Sequence, residues 1–215
     1  MTPNKEDYLK CVYELGTNEG KATNKQIAAI MGVSAPAVTE MIKKLISEEL
    51  LLKQAKEGYV LTEKGLQLVS ALVRKHRLLE VFLVERLAYT PEEIHAEAEI
   101  LEHAVSDNFI DRLEKLLDYP KTCPHGGIIP KKGETLVEAV SVSLEKAVEG
   151  KHYVVARVLD NKSLLQYLEK KNIVVGSRLA IKEQDTISEL VVVAQEQQIT
   201  SISHAVAKQI FLVEE

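Results

Sequence analysis

The sequence predicts a mainly α-helical protein with a small β domain at its C-terminal end, and three observations support this fold class. Apolar residues recur at helical spacing through most of residues 4–117. Short apolar runs separated by turn residues follow from residue 152 onward, which is typical of strands. Between them, residues 119–135 contain three prolines and three glycines, so this segment is predicted to be a connector.

The composition indicates an ordinary globular protein of a reducing compartment. The 215 residues could form two or three small domains. No apolar run approaches the roughly 18 residues that a membrane-spanning helix needs, and the polar N-terminal segment does not resemble a signal peptide. Two cysteines, Cys11 and Cys123, do not make a disulfide framework. We therefore expect a cytoplasmic protein.

The charge distribution leaves room for a nucleic-acid-binding surface despite a net charge of −5. Residues 1–65 contain nine Lys/Arg and nine Asp/Glu, whereas residues 66–140 contain nine and thirteen. The acidity is therefore concentrated in the middle of the chain. A phosphate-contacting surface in the first third would not carry the whole negative charge.

The helices are predicted from apolar periodicity and from their boundary residues. The first covers residues 4–15, and two more within residues 24–50 are separated by a turn at Gly32. A long helix follows from Thr62, the predicted N-cap, to about residue 88. The remaining helices are predicted over residues 91–106, 107–117 and 164–170, with one more short helix directly after the connector.

The strands are predicted from short apolar runs between turn residues. Residues 51–65 are expected to form a hairpin with Glu57-Gly58 as its turn. Four further runs lie at residues 152–160, 177–184, 188–196 and 208–215. They predict a small barrel or open sheet of about 65–70 residues.

Residues 24–43 have the spacing of a helix-turn-helix. Ala28 stands where two helices must cross closely, and Gly32 stands at the turn, where a positive φ costs glycine little. The second helix would contact base edges and phosphates, and the hairpin after it would be a wing that contacts phosphates. The candidate DNA-binding residues are Ser34, Ala35, Pro36, Ala37, Thr39, Glu40, Lys43, Lys44, Lys53 and Lys56.

The alternative for this segment is a helical hairpin with no role in DNA binding, because Ala, Gly and Val also occur in ordinary packing. The DNA-binding interpretation is favoured because the wing follows the turn. Glu40 would weaken the affinity for phosphates unless it accepts a hydrogen bond from a cytosine amino group. Such a surface predicts modest intrinsic affinity, which suits a regulated DNA-binding protein.

A cation site is predicted at the end of an acidic helix. Residues 92–102 contain five glutamates and no Lys or Arg. Glu99, Glu102 and His103 fall within a helical arc of about 100°, so their side chains can converge on one point. Two carboxylates and one imidazole suit Mn²⁺ or Fe²⁺ better than Zn²⁺. The alternative is a solvated acidic face without a metal.

Other pairs could be ligands or ordinary surface contacts. His76 and Glu80, like His95 and Glu99, are four residues apart on predicted helices. A further pair, Cys123 and His125, lies in the connector and offers a thiolate and an imidazole in one loop. Two ligands are fewer than a closed metal site needs, so an isolated reduced thiol is the alternative for the cysteine.

Taken together, these residues resemble the diphtheria toxin repressor and manganese transport regulator family of metal-dependent repressors. The motifs that carry the resemblance are EDYLKCVYEL, VSAPAVTEMIKKL, GYVLTEKG, RKHRLLEVFL and EAEILEHAVSD. The length and the CPHGG connector are most similar to the streptococcal manganese-responsive branch. Over the whole chain, the resemblance implies a winged helix-turn-helix domain at residues 1–65, a helical dimerisation and metal-binding domain at 66–140, and an SH3-like (FeoA-type) barrel at 141–215.

The resemblance also implies two separate metal sites. Lys10 stands where the two-domain manganese regulators of the family carry a glutamate, so two mononuclear sites are expected rather than one binuclear cluster. His76 and His95 match positions that some relatives use as ligands. The first site would comprise Asp7, Glu99, Glu102 and His103, and the second Glu80, Cys123, His125 and Asp160.

The function implied is a metal-dependent repressor that binds operator DNA as a homodimer and controls metal uptake genes. Mn²⁺ is the expected cofactor, with Fe²⁺, Zn²⁺ or Cd²⁺ as substitutes. A metal bound by Asp7 and by Glu102 and His103 would join the first two domains and set the separation of the paired recognition helices, which must be about 34 Å. The apolar residues Ile110, Leu113 and Leu117 are expected to form either a dimer interface or core.

Two alternatives of other classes remain at this point. One is a winged-helix regulator that senses a small organic ligand. The other is a metalloenzyme, which is disfavoured because the sequence has no nucleophile–base pairing, HExxH motif or Gly-rich phosphate loop.

Overall fold

The computed structural model describes the backbone of residues 1–215 and the side chains of residues 1–17, 20–90 and 93–215. Glu92, one of the five glutamates in the acidic segment, lies outside the described side chains. The chain divides into two compact units. The first comprises Met1–His76, Glu102–Val105 and Ile129–Val137, and the second comprises Arg77–Leu101, Ser106–Ile128 and Glu138–Glu215.

The first unit is built from helices and one hairpin. Helix α1 extends four residues beyond its predicted end, because the chain first adopts a left-handed conformation at Gly20, where φ is +69°. Helix α4 begins in this unit and ends in the second. The elements are α1 (Pro3–Glu19), α2 (Asn24–Met31), α3 (Ala35–Ser47), β1 (Leu51–Gln54), β2 (Gly58–Leu61) and α4 (Glu63–Leu87).

The boundaries of α2 and α3 are fixed by local hydrogen bonds, which confirms the predicted helix-turn-helix. Thr23 and Gln26 form a reciprocal capping box at the start of α2. Gly32 ends α2 with φ at +64°. Ser34 caps α3 by accepting a hydrogen bond from the backbone N–H of Ala37 at 3.4 Å.

One hydrophobic core holds the first unit together. Tyr8, Leu9 and Val12 of α1 are buried in the same cluster as side chains of α2, α3, β1 and α4. Each buried aliphatic side chain contributes roughly 1.5–3 kcal/mol. The shared core therefore fixes α1 against the two helices of the helix-turn-helix. Its members from the other elements include Ile27, Val38, Ile42, Leu45, Leu51, Val69 and Val73.

The wing hairpin is attached to the segment before α2. The backbone N–H of Tyr59 donates to the carbonyl of Ala22 at 2.9 Å, and the N–H of Ala22 donates to the carbonyl of Glu57 at 3.1 Å. Gly58 has φ at +76°, and a Cβ there would lie 2.0 Å from the carbonyl oxygen of Ala22. The predicted turn is confirmed in part, because the turn comprises residues 55–57 and so includes Glu57. Gly58 instead begins β2, and its approach to Ala22 leaves no room for a side chain.

The second unit contains the rest of α4, most of α5 (Pro91–Glu102), and α6 (Asp107–Leu116). The predicted end of α5 at residue 106 was wrong, because Ser106 caps α6 by accepting from the N–H of Phe109 at 3.2 Å. Ile110, Leu113 and Leu117 are buried, so they belong to the core. None of the helices in the described part of the chain combines the length and apolar character needed to cross a membrane.

The C-terminal part of the second unit is an antiparallel sheet with the order β3-β8-β4-β5-β6-β7. Its edge strands β3 and β7 do not pair with each other. Of the two predicted arrangements, a small barrel or an open sheet, the structure therefore has the open sheet, and the SH3-like barrel that the resemblance implies is not closed. The strands are β3 (Val142–Ser143), β4 (His152–Val158), β5 (Arg178–Asp185), β6 (Leu190–Gln195), β7 (Gln198–Ser203) and β8 (Ile210–Glu214).

The elements around this sheet agree in part with the predictions. The short helix predicted after the connector is a 3-10 helix, Leu144–Lys146, which follows β3. Strand β7 and the short helix α8 (His204–Ala207) were not predicted, whereas α7 (Lys162–Glu169) matches the predicted insert. The sheet core contains Val155, Leu179, Ile181, Val191, Val193, Ile202, Ile210 and Leu212, all fully buried.

Candidate metal centres and nucleic-acid interface

Three of the predicted metal-ligating residues meet within the first unit, in what we call the Asp7 cluster: Asp7, Glu102 and His103. Asp7 lies on α1, Glu102 is the last residue of α5, and His103 follows it. Nε2 of His103 lies 2.8 Å from Oδ1 of Asp7 and 3.6 Å from Oε1 of Glu102. One ligand-type atom from each residue lies within 4.8 Å of the other two. The cluster thus offers two carboxylates and an imidazole.

Glu6 extends the Asp7 cluster, and the sequence reasoning missed it. Nδ1 of His103 donates to Oε2 of Glu6 at 2.8 Å. Partial burial lowers the pKa of His103, but the hydrogen bond to Glu6 and the charges of Asp7 and Glu102 outweigh burial, so the pKa is raised above its ordinary value. The only signal in the sequence is that Glu6 adjoins Asp7.

Lys10 and His76 surround the other side of Glu102. Nζ of Lys10 donates to both carboxylate oxygens of Glu102 at 3.3 Å and lies 3.3 Å from Nδ1 of His76. Nδ1 of His76 lies 2.5 Å from Oε2 of Glu102. All three residues are buried, with Glu102 only 1% exposed. Glu102 therefore has a cation beside it in the described structure.

A second group, which we call the Cys123 cluster, lies within the second unit and comprises Glu80, Cys123 and His125. One ligand-type atom from each lies within 4.8 Å of the other two, and all three residues are buried. Nδ1 of His125 donates to Oε1 of Glu80 at 3.1 Å. Asp160, the fourth predicted ligand, lies close by, with its Oδ2 3.5 Å from Nδ1 of His125.

His95 also reaches this region through Asp160. Nδ1 of His95 lies 2.6 Å from Oδ2 of Asp160. One ligand-type atom from each of Glu80, His95 and Asp160 lies within 4.8 Å of the others. His95, which the sequence pattern left open, is therefore placed beside two predicted ligands.

The electrostatics of the Cys123 cluster favour a bound cation. Burial lowers the pKa of His125, but hydrogen bonds with Asp160, Cys123 and Glu80 outweigh it and raise the pKa to about 12. Burial and the charge of Glu80 raise the pKa of the Cys123 thiol. Within the described side chains, Nε2 of His125 is a buried nitrogen with no hydrogen-bond partner. A proton on His125 thus balances the carboxylates here, and a metal would take over this role by displacing that proton and binding the buried Nε2.

The connector loop is held against β4 by close backbone contact. The backbone N–H of Val158 donates to the carbonyl of His125 at 3.0 Å. Gly126 has φ at +83°, and a Cβ there would lie 2.0 Å from the carbonyl oxygen of Ala156. Hydrogen bonds between Cys123 and residues 126 and 127, each 2.9 Å, close the loop. This backbone geometry positions the thiol and imidazole on one loop.

Glu99, predicted as a ligand of the first site, belongs to the second unit, whereas the Asp7 cluster belongs to the first. Its Oε1 lies 3.8 Å from Nε2 of His95. Its side chain is 42% exposed, which distinguishes it from Glu102. Participation of Glu99 in the first site stays a prediction.

The predicted nucleic-acid interface is exposed at the start of α3. Ser34, Ala35, Pro36, Ala37 and Glu40 are exposed, and so are the lysines Lys43, Lys44, Lys53 and Lys56. Thr39 differs, because its hydroxyl donates to the carbonyl of Ala35 and accepts from Nδ2 of Asn24, both at 2.9 Å. Its hydroxyl proton is therefore not available to a base, and the methyl group is left for an apolar contact.

Comparisons with known proteins agree with this geometry. Residues 1–65 match the iron dependent repressor, N-terminal DNA binding domain, and residues 62–131 match the iron dependent repressor, metal binding and dimerisation domain. Residues 142–214 match the FeoA domain. The HTH-type transcriptional regulator MntR of Oceanobacillus iheyensis is 38% identical over 120 residues, which are 56% of this chain and 81% of that protein.

Solved structures are similar over the full length. The manganese regulator SloR has a TM-score of 0.90 and 50% identity, and the match covers 100% of both chains. ScaR with bound Cd²⁺ has a TM-score of 0.92 and 56% identity, covering 99% of this chain and 100% of that one. The helix-turn-helix, its wing and the histidine–carboxylate clusters, together with these relatives, define the class as metal-dependent transcriptional repressors. The chain belongs to the iron-dependent repressor family.

Proposed function

We propose that this protein is a manganese-responsive repressor whose Asp7 cluster couples metal binding to operator binding in the cytoplasm. The observation that carries the proposal is the contact between Asp7 on α1 and His103 after α5, 2.8 Å from oxygen to nitrogen. It brings together residues that are far apart in the chain. The oxygen-rich donor set suits Mn²⁺ or Fe²⁺, and one solved relative is named as a manganese regulator.

The donor sets of the two clusters differ, and so should their metal preference. The Asp7 cluster offers two carboxylates and one imidazole, which are hard or intermediate ligands. The Cys123 cluster offers a thiol beside an imidazole and a carboxylate, and this set also accepts softer ions such as Zn²⁺ or Cd²⁺. We propose that Asp160 completes the Cys123 cluster. Both clusters would act as separate mononuclear sites.

The first unit explains how a local change at Asp7 would reach the DNA-binding surface. Tyr8 and Leu9, the residues after Asp7, are buried in the core that also holds Val38 of α3. Closely packed cores move as units rather than deforming continuously. A bound divalent ion would supply the positive charge that holds the carboxylates of Asp7 and Glu102 together. Fixing Asp7 would then fix α1, and with it the recognition helix α3.

The repressor would bind DNA as a homodimer. Two recognition helices must be about 34 Å apart to enter successive major grooves. Helix α6 is amphipathic, with Ile110 and Leu113 buried and with Phe109 and Leu116 43% and 59% exposed. We propose that these exposed apolar side chains contribute to the dimer interface. Exposed lysines of α3 and the wing would contact phosphates, while the start of α3 would meet base edges.

The test is Asp7→Ala, with Glu14→Ala as a charge-matched control on the same helix. Fluorescence anisotropy would measure the affinity for operator DNA with and without Mn²⁺. We expect Asp7→Ala to lose the stimulation by Mn²⁺ while circular dichroism stays unchanged, because Asp7 is not part of the core. Glu14→Ala should be stimulated like the parent. Equal stimulation of all three proteins would refute the coupling.

A further inference from the structure

Lys10 is a buried cation inside a cluster of candidate metal ligands. It is 8% exposed, and the Glu102 it contacts is 1% exposed. A buried ammonium ion is costly unless opposite charge and hydrogen bonds compensate it. Here both oxygens of Glu102 accept from Lys10 at 3.3 Å. The lysine is therefore fixed on the carboxylate that the Asp7 cluster would offer to a metal.

Glu102 has a different neighbour on each of its two oxygens. Oε1 lies 3.6 Å from Nε2 of His103, on the side of Asp7. Oε2 lies 2.5 Å from Nδ1 of His76. Nζ of Lys10 is 3.3 Å from both oxygens and from Nδ1 of His76. A carboxylate with an imidazole on each side is an arrangement that can bridge two divalent ions. The ammonium group of Lys10 already supplies a positive charge at this carboxylate.

We propose that Lys10 takes the place of a second divalent ion and limits the Asp7 cluster to one metal. The inference rests on the proposed function, since it assumes that the Asp7 cluster binds a metal. Like charges in a buried site repel strongly because the effective dielectric constant is low. Lys10 would therefore exclude an ion from the His76 side of Glu102. It would also weaken the binding of the first ion.

Two substitutions at Lys10 test whether its positive charge excludes a second ion. Lys10→Met removes the charge and keeps an unbranched chain of similar length, and Lys10→Glu adds a carboxylate ligand beside His76 and Glu102. His103→Ala reports whether the cluster binds metal at all. Lys21→Glu, at an exposed residue of the same unit, is the control for the change in net charge.

The measurements are Mn²⁺ bound per chain by equilibrium dialysis and the electron paramagnetic resonance spectrum of the bound Mn²⁺. Two ions that share a carboxylate couple magnetically, so the spectrum distinguishes an adjacent second ion from an ion in the Cys123 cluster. Circular dichroism identifies the variants that fold. Even at the dielectric constant of water, a unit charge about 6 Å from a divalent ion weakens its binding about tenfold.

We expect folded Lys10→Glu to bind one more Mn²⁺ than the parent and to give a coupled spectrum. Lys10→Met should bind its first ion about tenfold more tightly, and Lys21→Glu should match the parent. An unchanged affinity in Lys10→Met, or an unchanged number of uncoupled ions in folded Lys10→Glu, would overturn the role of Lys10. If His103→Ala binds as much Mn²⁺ as the parent, the metal site itself fails, and the inference fails with it.

Discussion

Replacing Gly126 with alanine perturbs the contact that places the connector loop against β4. A Cβ at this position would lie 2.0 Å from the carbonyl oxygen of Ala156, and the backbone φ of +83° already disfavours a side chain. Gly150 supplies a matched control. Its φ is +82°, yet no atom lies within 4 Å of the position its Cβ would take.

The magnitude follows from these distances. Real Cβ contacts are essentially never shorter than 3.0 Å, so the loop at Gly126 must move by about 1 Å. The distance between a metal and each of its ligands varies by only about 0.2 Å from its standard value. The left-handed φ costs both variants roughly 1–2 kcal/mol of stability. Only Gly126→Ala should also weaken the 3.0 Å hydrogen bond from Val158 to His125, worth about 1 kcal/mol.

The assay follows Cd²⁺ binding through the ultraviolet absorption of the cadmium–thiolate bond. Cys123→Ser identifies the part of the signal that comes from the Cys123 cluster, since Cys11 is the other cysteine. Urea unfolding measures the stability of each variant. We expect Gly126→Ala to bind Cd²⁺ at least tenfold more weakly than Gly150→Ala, because a displaced loop moves the thiol and the imidazole together.

Equal Cd²⁺ affinities in the two glycine variants would refute this reasoning. That result would mean that the loop can move without displacing its ligands, or that these side chains do not bind the ion. A loss of affinity in both variants would instead assign the effect to backbone strain alone.

Three further predictions follow from the same structure. Lys43→Ala should lower the affinity for all DNA sequences and reduce the salt dependence of binding by about one counterion; an identical salt slope would show that Lys43 makes no phosphate contact. Cys123→Ser should shift the preference of its cluster from Cd²⁺ and Zn²⁺ toward Mn²⁺, because a hydroxyl is a harder ligand than a thiolate; competition dialysis that shows unaltered selectivity would contradict this. Burial and the charge of Glu14 raise the pKa of Cys11 to about 12, so the thiol should react with iodoacetamide at pH 8 far more slowly in the native than in the unfolded protein. Equal rates, measured by mass spectrometry, would contradict the buried position of Cys11.

The parts of the fold that the sequence predicts well are those determined by local interactions. The helix-turn-helix was predicted from the spacing around Gly32, and in the structure its boundaries are set by the capping residues Thr23 and Ser34 and by the left-handed Gly32, all of which act within a few residues. The start of α4 follows in the same way, since the Thr62 hydroxyl accepts from the N–H of Gly65 at 3.0 Å. Such signals do not depend on the rest of the chain.

The errors occur where a distant part of the chain determines the local structure. Gly58 has the residue type of a turn but begins β2, and only the fold shows that Ala22 occupies the space that a side chain there would need. Strand β7 is polar, and its alternation of exposed residues with buried Thr200 and Ile202 becomes visible only beside β6. The strand pattern left a small barrel and an open sheet as alternatives, because it carries no information on whether the edge strands β3 and β7 pair.

The candidate sites also combine residues that local sequence patterns predict with residues that only the folded chain brings together. Helical spacing predicted that Glu99, Glu102 and His103 share one face of the helix, and the resemblance added Asp7 from α1. The structure brings Asp7, Glu102 and His103 together, and the role of Glu99 stays a prediction. The contact of Glu6 with His103 joins residues 97 positions apart, and no periodicity predicts it. Similarly, the sequence shows that Lys10 cannot be a ligand, but only the fold shows that it is buried against Glu102.

The chemistry at the start of α3 limits how an operator can be recognised. Ala35, Pro36 and Ala37 present only small apolar groups, and the hydroxyl of Thr39 is engaged with Ala35 and Asn24. None of these four side chains can form the paired hydrogen bonds by which arginine or glutamine distinguishes a base, so hydrogen-bonded readout at the start of α3 would fall to Glu40. Apart from a contact between Glu40 and cytosine, we expect thymine methyl groups and the flexibility of the double helix to decide which sequences bind. Operators of this protein should then be degenerate, and changes in groove width should matter as much as single base substitutions.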